Sequence, residues 1–461
     1  MLETSDTAMQ ARAKATWREL LGREHLRLTI GLVFVEFMAG IQYLVVDAVM
    51  PRVQKEIGGI AFYGAVFGGY MVASLVSIPL SGRQADREGP RRPFAINLAI
   101  FIGGTVLCGL APTMPLLAAA RLVQGYGGGA LYSLAYGIMA KVYPPRLRPR
   151  MVALLTGVWV ISGVIGPGYG TLVAQTVGWR WAFLSVAPLA VLAGALLLPA
   201  IRGIAGSGDE LARMLLRWPL QMAAGCALVV AGLSTLAWPG YAAAAVGMVL
   251  VAMSVRHVLP QGTLTGRPGL PAAVGGAFLL SLAFFTADSF VPLVITGVRG
   301  RSLTEAGIVV TLVAVSWSLA TFWQARMVDR FSYARMVRAG SLILAGGTAV
   351  FALAIAGAPL PLAYAAWTIA GAGMGIAFPT LFIATMDRAG AGEEAGAVAA
   401  RFVSGRIGIV LGTGLAGVAV GAARAAHAPL GIGLAAAMGL AVAGALVAGL
   451  LAPLLDRKEH V

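Results

Sequence analysis

Six ionisable side chains stand inside long apolar runs of this sequence: Glu36, Asp47, Arg121, Asp288, Arg401 and Arg406. Apolar surroundings disfavour a carboxylate and favour its protonated form. Acids so placed are suited to taking up and releasing protons, and a guanidinium to pairing with an acid that has lost one. Other chemistries are missing from the pattern. Cys108 and Cys226 both lie in apolar runs and imply no disulfide framework. The four histidines (His25, His257, His427, His460) fall in loops or tails without metal-ligand spacing. No Gly-x-x-x-x-Gly-Lys-[ST] loop for ATP occurs, and no nucleophile constellation. What remains is proton transfer and charge pairing, with no metal and no cofactor.

Composition says what must hold these groups in place. The chain has 461 residues, 59% hydrophobic and only 11% charged, where a soluble protein carries roughly 25% charged. A compact water-soluble body cannot hide so much apolar surface. A disordered chain, a disulfide scaffold and an ordinary soluble enzyme are excluded, and the fold class is an all-α membrane protein. A spanning helix needs about 20 apolar residues. Such runs lie near 28–50, 61–82, 93–112, 115–140, 150–175, 181–202, 219–237, 240–256, 272–296, 303–325, 338–357, 361–386, 398–421 and 429–455, which predicts 14 transmembrane helices. The least regular stretch, 219–256, is divided at "AWPGYA" (237–242) by its Pro-Gly pair.

The net charge of +15 suggests nucleic acid only until the charges are located. With the N-terminus in the cytoplasm, 25 of the 34 Lys and Arg fall in inside segments and 6 in outside loops, as the positive-inside rule requires. A thirteen-helix count would put Arg326–Arg338 outside. The basic residues therefore face lipid headgroups, not nucleic acid, and both termini are expected in the cytoplasm. Thirty Arg against 4 Lys reads as GC-rich coding, hence a bacterial cytoplasmic (inner) membrane. Residues 1–27 hold no cleavable signal. They set Trp17, Leu20 and Leu21 at helical spacing beside arginines, as in a helix lying on headgroups or a basic tail.

The two ends of the chain resemble each other. Asp47 and Pro51 match Asp288 and Pro292, Asp86-Arg87 matches Asp329-Arg330, and Gly125, Gly127 and Gly129 match Gly371, Gly373 and Gly375. The offsets drift only from 241 to 246. The expected organisation is a cytoplasmic segment 1–27 and two pseudo-symmetric six-helix bundles, 28–203 and 272–455. A linker 204–271 with two extra helices separates the bundles, and a tail 456–461 ends the chain. Duplicated halves are how secondary transporters build a midplane site that opens to alternate sides.

Several strings then point to one family. "GRQADREGPRR" (82–92) resembles the helix 2–3 loop signature of the major facilitator superfamily, and "RLVQG" (121–125) its helix 4 signature. "GVWVISGVIGPGYG" (157–170) resembles the helix 5 antiporter signature. "WRWAF" (179–183) and "SGRIGIVLG" (404–412) are similar to the fourteen-helix branch of drug:proton antiporters. The chain departs from that branch at Gln42, where the branch usually has an acid nine residues before the helix 1 proline. Asp47 stands instead where the branch commonly has Asn. The resemblance implies a gating role for Gly82, Asp86, Arg87, Gly89, Arg91 and Arg92, with Asp86 latching one conformation. Within the helix 5 signature (Gly157, Gly166, Pro167, Gly170), Gly163, Gly166 and Gly170 lie on one face and Pro167 bends the helix, which reads as close packing between the halves.

Glu36 and Asp47 are 11 residues apart on helix 1, within about 20° of one face, with Tyr43 between them. Glu36 lies about 12 Å from the cytoplasmic end of its run and Asp47 near the outer end. Arg121 matches Asp47 in depth, and the two are expected to pair when the acid is ionised. Asp288 is the repeat-related acid. Arg406 either snorkels or pairs with Glu36 or an anionic substrate group. Each acid has a second reading as a static, hydrogen-bonded group. Gln42, Tyr43, Gln124, Tyr132 and Phe285 are the expected substrate-cavity lining. The expected function is a non-enzymatic, monomeric exporter of small amphipathic or drug-like molecules, driven by the proton motive force. The alternatives are a nutrient symporter or facilitator, or a lipid transporter, on the same scaffold.

Overall fold

A computed structural model describes residues 17–22, 25–144, 147–206, 217–235, 237–328, 330–389 and 394–456. Their regular structure is entirely helical. The long helices are α1 (Leu26–Ile57), α2 (Tyr63–Glu88), α3 (Arg91–Leu110), α4 (Met114–Val142), α5 (Arg148–Thr176) and α6 (Trp179–Ala200, interrupted at Ser185). Next come α7 (Arg217–Ser234), α8 (Trp238–Val258), α9 (Leu270–Leu293) and α10 (Leu303–Met327). The last four are α11 (Tyr333–Ala352), α12 (Leu360–Asp387), α13 (Glu394–Ala425) and α14 (Leu430–Leu451). Among the described residues 11 helical segments are long and apolar enough to cross a membrane. α4 is outside that set because Arg121, Gln124 and its glycines dilute its apolar character.

Local signals set the boundaries. Proline in the first turn opens α4, α5, α8, α9 and α12, where its missing N–H would have had no partner anyway. A capping box opens α10: Ser302 accepts from the Glu305 backbone, and Glu305 accepts from the Ser302 backbone. Gly58 (φ 68°) and Gly89 (φ 83°) end α1 and α2 in conformations a side chain would resist.

Packing repeats pair for pair. α1 lies against α5 and α6, α2 against α4, and α3 against α4 and α6. Eight helices later, α9 lies against α13 and α14, α10 against α12, and α11 against α12 and α14. The repeated glycines explain the correspondence. A methyl group at Gly125 or Gly129 would strike Tyr70 or Ser74 of α2, and one at Gly127 would strike Phe101 of α3. Their counterparts Gly371 and Gly375 press on Val313 and Trp317 of α10, and Gly373 on Gly340 of α11. Each helix thus clamps two neighbours at backbone distance.

Between these groups, α2 meets α13 and α5 meets α10. Gly64 approaches the Thr413 carbonyl, Gly163 touches Ala314, and Gln175 donates to Thr304 across 3.0 Å. The end holding the Gly58–Gly59 turn, called the far end below, is shut: every residue from 44 to 51 of α1 and from 286 to 295 of α9 is buried. Towards the opposite, terminal end, Phe34 and Phe37 of α1 are half-exposed.

Several expectations need correction. α1 runs on through Pro51 to Ile57, so Arg52 and Lys55 are helical, with Arg52 bonded to Glu56 one turn later at 2.5 Å. The expected helix 2–3 loop is mostly helix, because only Gly89 and Pro90 lie between α2 and α3. Gly166 and Gly170 pack on Leu44 and Val45 of α1 in their own half, and Gly157 meets open space. Gly163 and Pro167 reach the other half, Gly163 touching Ala314 and the Pro167 carbonyl lying against Gly307 of α10, because α5 turns one flank to α1 and the other to α10. Residues 219–256 do form two helices. α7 packs Met222, Cys226 and Val230 along α2 and α13, with α8 behind it and apolar side chains such as Trp238, Val246 and Val249 exposed on the outer side. Leu20, expected on headgroups, is fully buried, and its carbonyl accepts from Thr29 at 3.1 Å. Residues 1–16 and 457–461 lie outside the described residues, as does Asp329.

If helix direction alternates across a bilayer, the start of α8 and the start of α11 face opposite sides. Pro239→Cys and Phe331→Cys should therefore react with an impermeant thiol reagent from opposite faces of sealed vesicles. Labelling of both from one face would refute the alternation.

Candidate functional site

Gln124 of α4 is the hub of a buried polar network. Its Oε1 accepts from Arg121 Nη1 at 2.5 Å, Gln42 Nε2 at 3.2 Å and Cys108 Sγ at 3.5 Å. Its Nε2 donates to Thr105 Oγ1 at 2.9 Å. Arg121 also donates Nε–H to the Val66 carbonyl at 3.1 Å and lies 4.5 Å over the Tyr70 ring. This guanidinium, buried among α2, α3 and α4, is held by neutral acceptors and an aromatic face. The expected pair with Asp47 is not formed. Gln124 is three residues from Arg121 on the same helix and captures the guanidinium first.

Asp47 and Asp288 come together instead. Both are buried, and each lies close enough to feel the charge on the other. Both oxygens of Asp47 and Oδ1 of Asp288 have no hydrogen-bond partner, and neither does the Tyr63 hydroxyl beside Asp47. Tyr43 lies within electrostatic range of both acids, and its ring meets Phe285 edge-on at 5.8 Å. Ion pairs among the described residues are confined to Arg52–Glu56 and Arg92–Glu88. The two repeat-related acids thus lie on neighbouring helices, each about one turn beyond the Tyr43–Phe285 ring contact, with no cation bonded to either among the described residues.

Glu36 occupies a separate place nearer the terminal end. Its Oε1 accepts from Trp159 Nε1 of α5 at 2.6 Å, while Oε2 has no partner. Tyr136 of α4 lies within reach of the same carboxyl. Opposite, Phe285, Trp317 and Phe378 form a chain of ring contacts at 5.9–6.2 Å, and Tyr132 meets Phe402 at 6.2 Å. Arg406 points Nη1 at Met71 Sδ, 2.6 Å away, with Tyr132 6.0 Å from its Cζ. Arg401, 2% exposed, donates to the Phe378 carbonyl and sits 4.3 Å over that ring. The result is an amphipathic cluster, aromatic with a few fixed polar groups.

The structure thus brings Gln42, Tyr43, Gln124, Tyr132 and Phe285 into one central region, with the acids at two depths. It leaves the residues expected to gate apart, at the terminal end. There Arg92 pairs with Glu88 at 3.4 Å, Arg87 and Arg91 are exposed, and Gly82 faces open space. Gly89 lies against the backbone of Ile204–Gly206, which leaves no room for a side chain. The Asp86 side chain lies outside those described. Tyr70, Tyr136, Trp159 and Trp317 join this region without having been singled out in the sequence, and Arg401 was noted there but given no partner. Helical spacing offered a signal only for Trp159, four residues before the Gly163 of the glycine face.

Comparison with known proteins agrees with this architecture. Residues 32–413 match the Major Facilitator Superfamily. A "Probable multidrug-efflux transporter" of Mycobacterium tuberculosis (strain H37Rv) is 31% identical over 468 residues, covering 96% of this chain and 98% of that protein. A multidrug transporter protein of Bacillus subtilis is 24% identical, covering 83% of this chain and 74% of that one. Among solved structures, a bacterial homolog of the human lysosomal transporter Spinster, inward-facing and occupied, superposes with a TM-score of 0.69. It covers 94% of this chain and 98% of that chain at 16% identity.

Because Arg121 depends on Gln124, Gln124→Leu should destabilise the protein by about 2 kcal/mol, the cost of leaving a buried charge short of an acceptor. Gln42→Leu, which removes one neutral donor, should cost about 1 kcal/mol or less. Unfolding in detergent against increasing denaturant checks the order, and equal losses would remove Gln124 from the centre of the network.

Proposed function

The chain belongs to the Major Facilitator Superfamily, and from that premise we propose that it is a proton-coupled exporter of small amphipathic molecules. It is a multi-pass membrane transporter, not an enzyme. In our reading it is a fourteen-span member of the drug:proton antiporter branch, monomeric, in a bacterial cytoplasmic membrane with both termini in the cytoplasm. Two bundles, 28–203 and 272–455, rock about the central site, with 204–271 inserted between them. No cofactor takes part, and the proton motive force drives the cycle.

The observation that carries this reading is Glu36: a buried carboxyl with one orphan oxygen, held by Trp159 beneath a half-open aromatic lining. A fixed acid at membrane depth has no structural necessity here, since the surrounding helices pack through glycine and apolar contacts. At this depth it can exchange a proton with the terminal-end side or meet the polar part of a substrate, while Phe285, Trp317 and Phe378 take up apolar rings. The relatives described as multidrug-efflux transporters favour export of such molecules over uptake of a sugar or nucleoside. Asp86, Arg87, Arg91 and Arg92 serve the conformational change and do not touch cargo.

Efflux of a fluorescent amphipathic dye in everted vesicles tests the proposal. An imposed pH gradient should drive accumulation, an ionophore should collapse it, and ATP should have no effect. Glu36→Gln should lower uphill transport about tenfold or more, equivalent to at least 1.4 kcal/mol on the limiting barrier. Asp86→Asn should slow turnover with substrate affinity nearly unchanged. Dye accumulation that ignores the pH gradient would overturn proton coupling.

A further inference from the structure

We propose that Asp47 and Asp288 form one proton site across the seam between the two halves, and that a single shared proton keeps the far end closed. The inference rests on the proton-coupled reading above and gives it a second, separate location.

The geometry of the seam supports it. The two acids occupy corresponding positions of the repeat, on α1 and α9, and stand within the stretches 44–51 and 286–295 where every residue is buried. Three of their four oxygens have no partner in the protein. No cation bonds either acid among the described residues: Arg121 is held by Val66, Gln124 and Tyr70, and Arg406 points at Met71. The other groups near the pair are the phenols Tyr43 of α1 and Tyr63 of α2, and Arg121 and Arg406 lie within electrostatic range of Tyr43. Two carboxylates without a counter-ion in such a place repel strongly, and one proton between them removes the repulsion.

The consequence is mechanical. With one proton bound, the pair carries a single negative charge, and α1 and α9 can lie together as they do here. When that proton passes to water on the terminal-end side, the O–H bond breaks, the charge becomes −2, and the two helices are pushed apart at the far end. Opening admits a proton from that side to a carboxylate oxygen, which restores −1 and allows closure. Because the acids are related by the repeat, the force acts on equivalent points of both halves. The order of events is that of exchange: a proton enters from the far side each time that side closes.

Spin labels at Leu172→Cys and Ile308→Cys read the seam directly. Both positions are exposed, at 60% and 47%, on α5 and α10 at the far end, and the two native cysteines are buried. In proteoliposomes of the labelled protein, the long-distance population measured by pulsed EPR should grow severalfold as pH rises from about 5 to about 9. Asp47→Asn and Asp288→Asn should each abolish that growth, since a single carboxylate has nothing to repel. Either Asp→Glu variant should keep it. An unchanged wild-type distance, with dye still driven by the pH gradient, would overturn the shared site while leaving proton coupling on Glu36 intact. Loss of gradient-driven transport in the wild type would overturn the coupling reading and this site with it. Growth that persists in the single Asn variants, or closure on adding sodium at fixed pH, would also overturn the proposal.

Discussion

A charged group removed from water must find a partner or carry a cost of several kcal/mol, and that constraint organises the interior of this protein. Arg121 meets it fully, with a carbonyl, an amide oxygen and a ring. Arg401 meets it with a carbonyl and three aromatic faces. Glu36 meets it by half, and Asp47 scarcely at all. Orphan atoms are not confined to these acids: Gln42 Oε1, Asn97 Oδ1 and Arg401 Nε are buried without a partner as well. The acids differ in kind, because an unpartnered carboxylate carries a charge that a proton can remove.

What allows so few polar contacts to suffice is backbone proximity. The glycines of α4 and α12 bring helix axes close enough for dispersion to act along whole turns. Each half thereby becomes stiff without needing salt bridges. The seam has fewer such points, chiefly Gly64 with Thr413 and Gly163 with Ala314. Stiff halves joined by a sparser seam concentrate deformation at the seam.

Much of this was legible in the sequence. The repeat, visible as Asp-Pro, Asp-Arg and a triplet of glycines, corresponds to a packing pattern that recurs eight helices later. The break at 237–242 and the intramembrane acids were readable because Pro-Gly and carboxylates are rare in apolar runs. Partners were not readable. Depth along a helix suggested Arg121 for Asp47, but rotation about the axis decides contact, and Gln124 sits on the side to which Arg121 turns. The Trp159 bond to Glu36 spans 123 residues, and no local pattern encodes it. The helix 2–3 signature read as a loop because its glycines and charges suggest one. Only Gly89, whose φ is positive and whose backbone lies against Ile204–Gly206, breaks the helix.

α7 touches α2 of one half and α13 of the other, with Val230 set against Gly68 and Gly414. If the halves rock as proposed, a helix fastened to both sides of the joint cannot keep both contacts unchanged, so one of them has to slip. A branched side chain running over bare glycine backbone offers a low, smooth track for that slip. The inserted hairpin is thus shaped as a bearing. It can cover the lipid side of the joint while adding little friction to its travel.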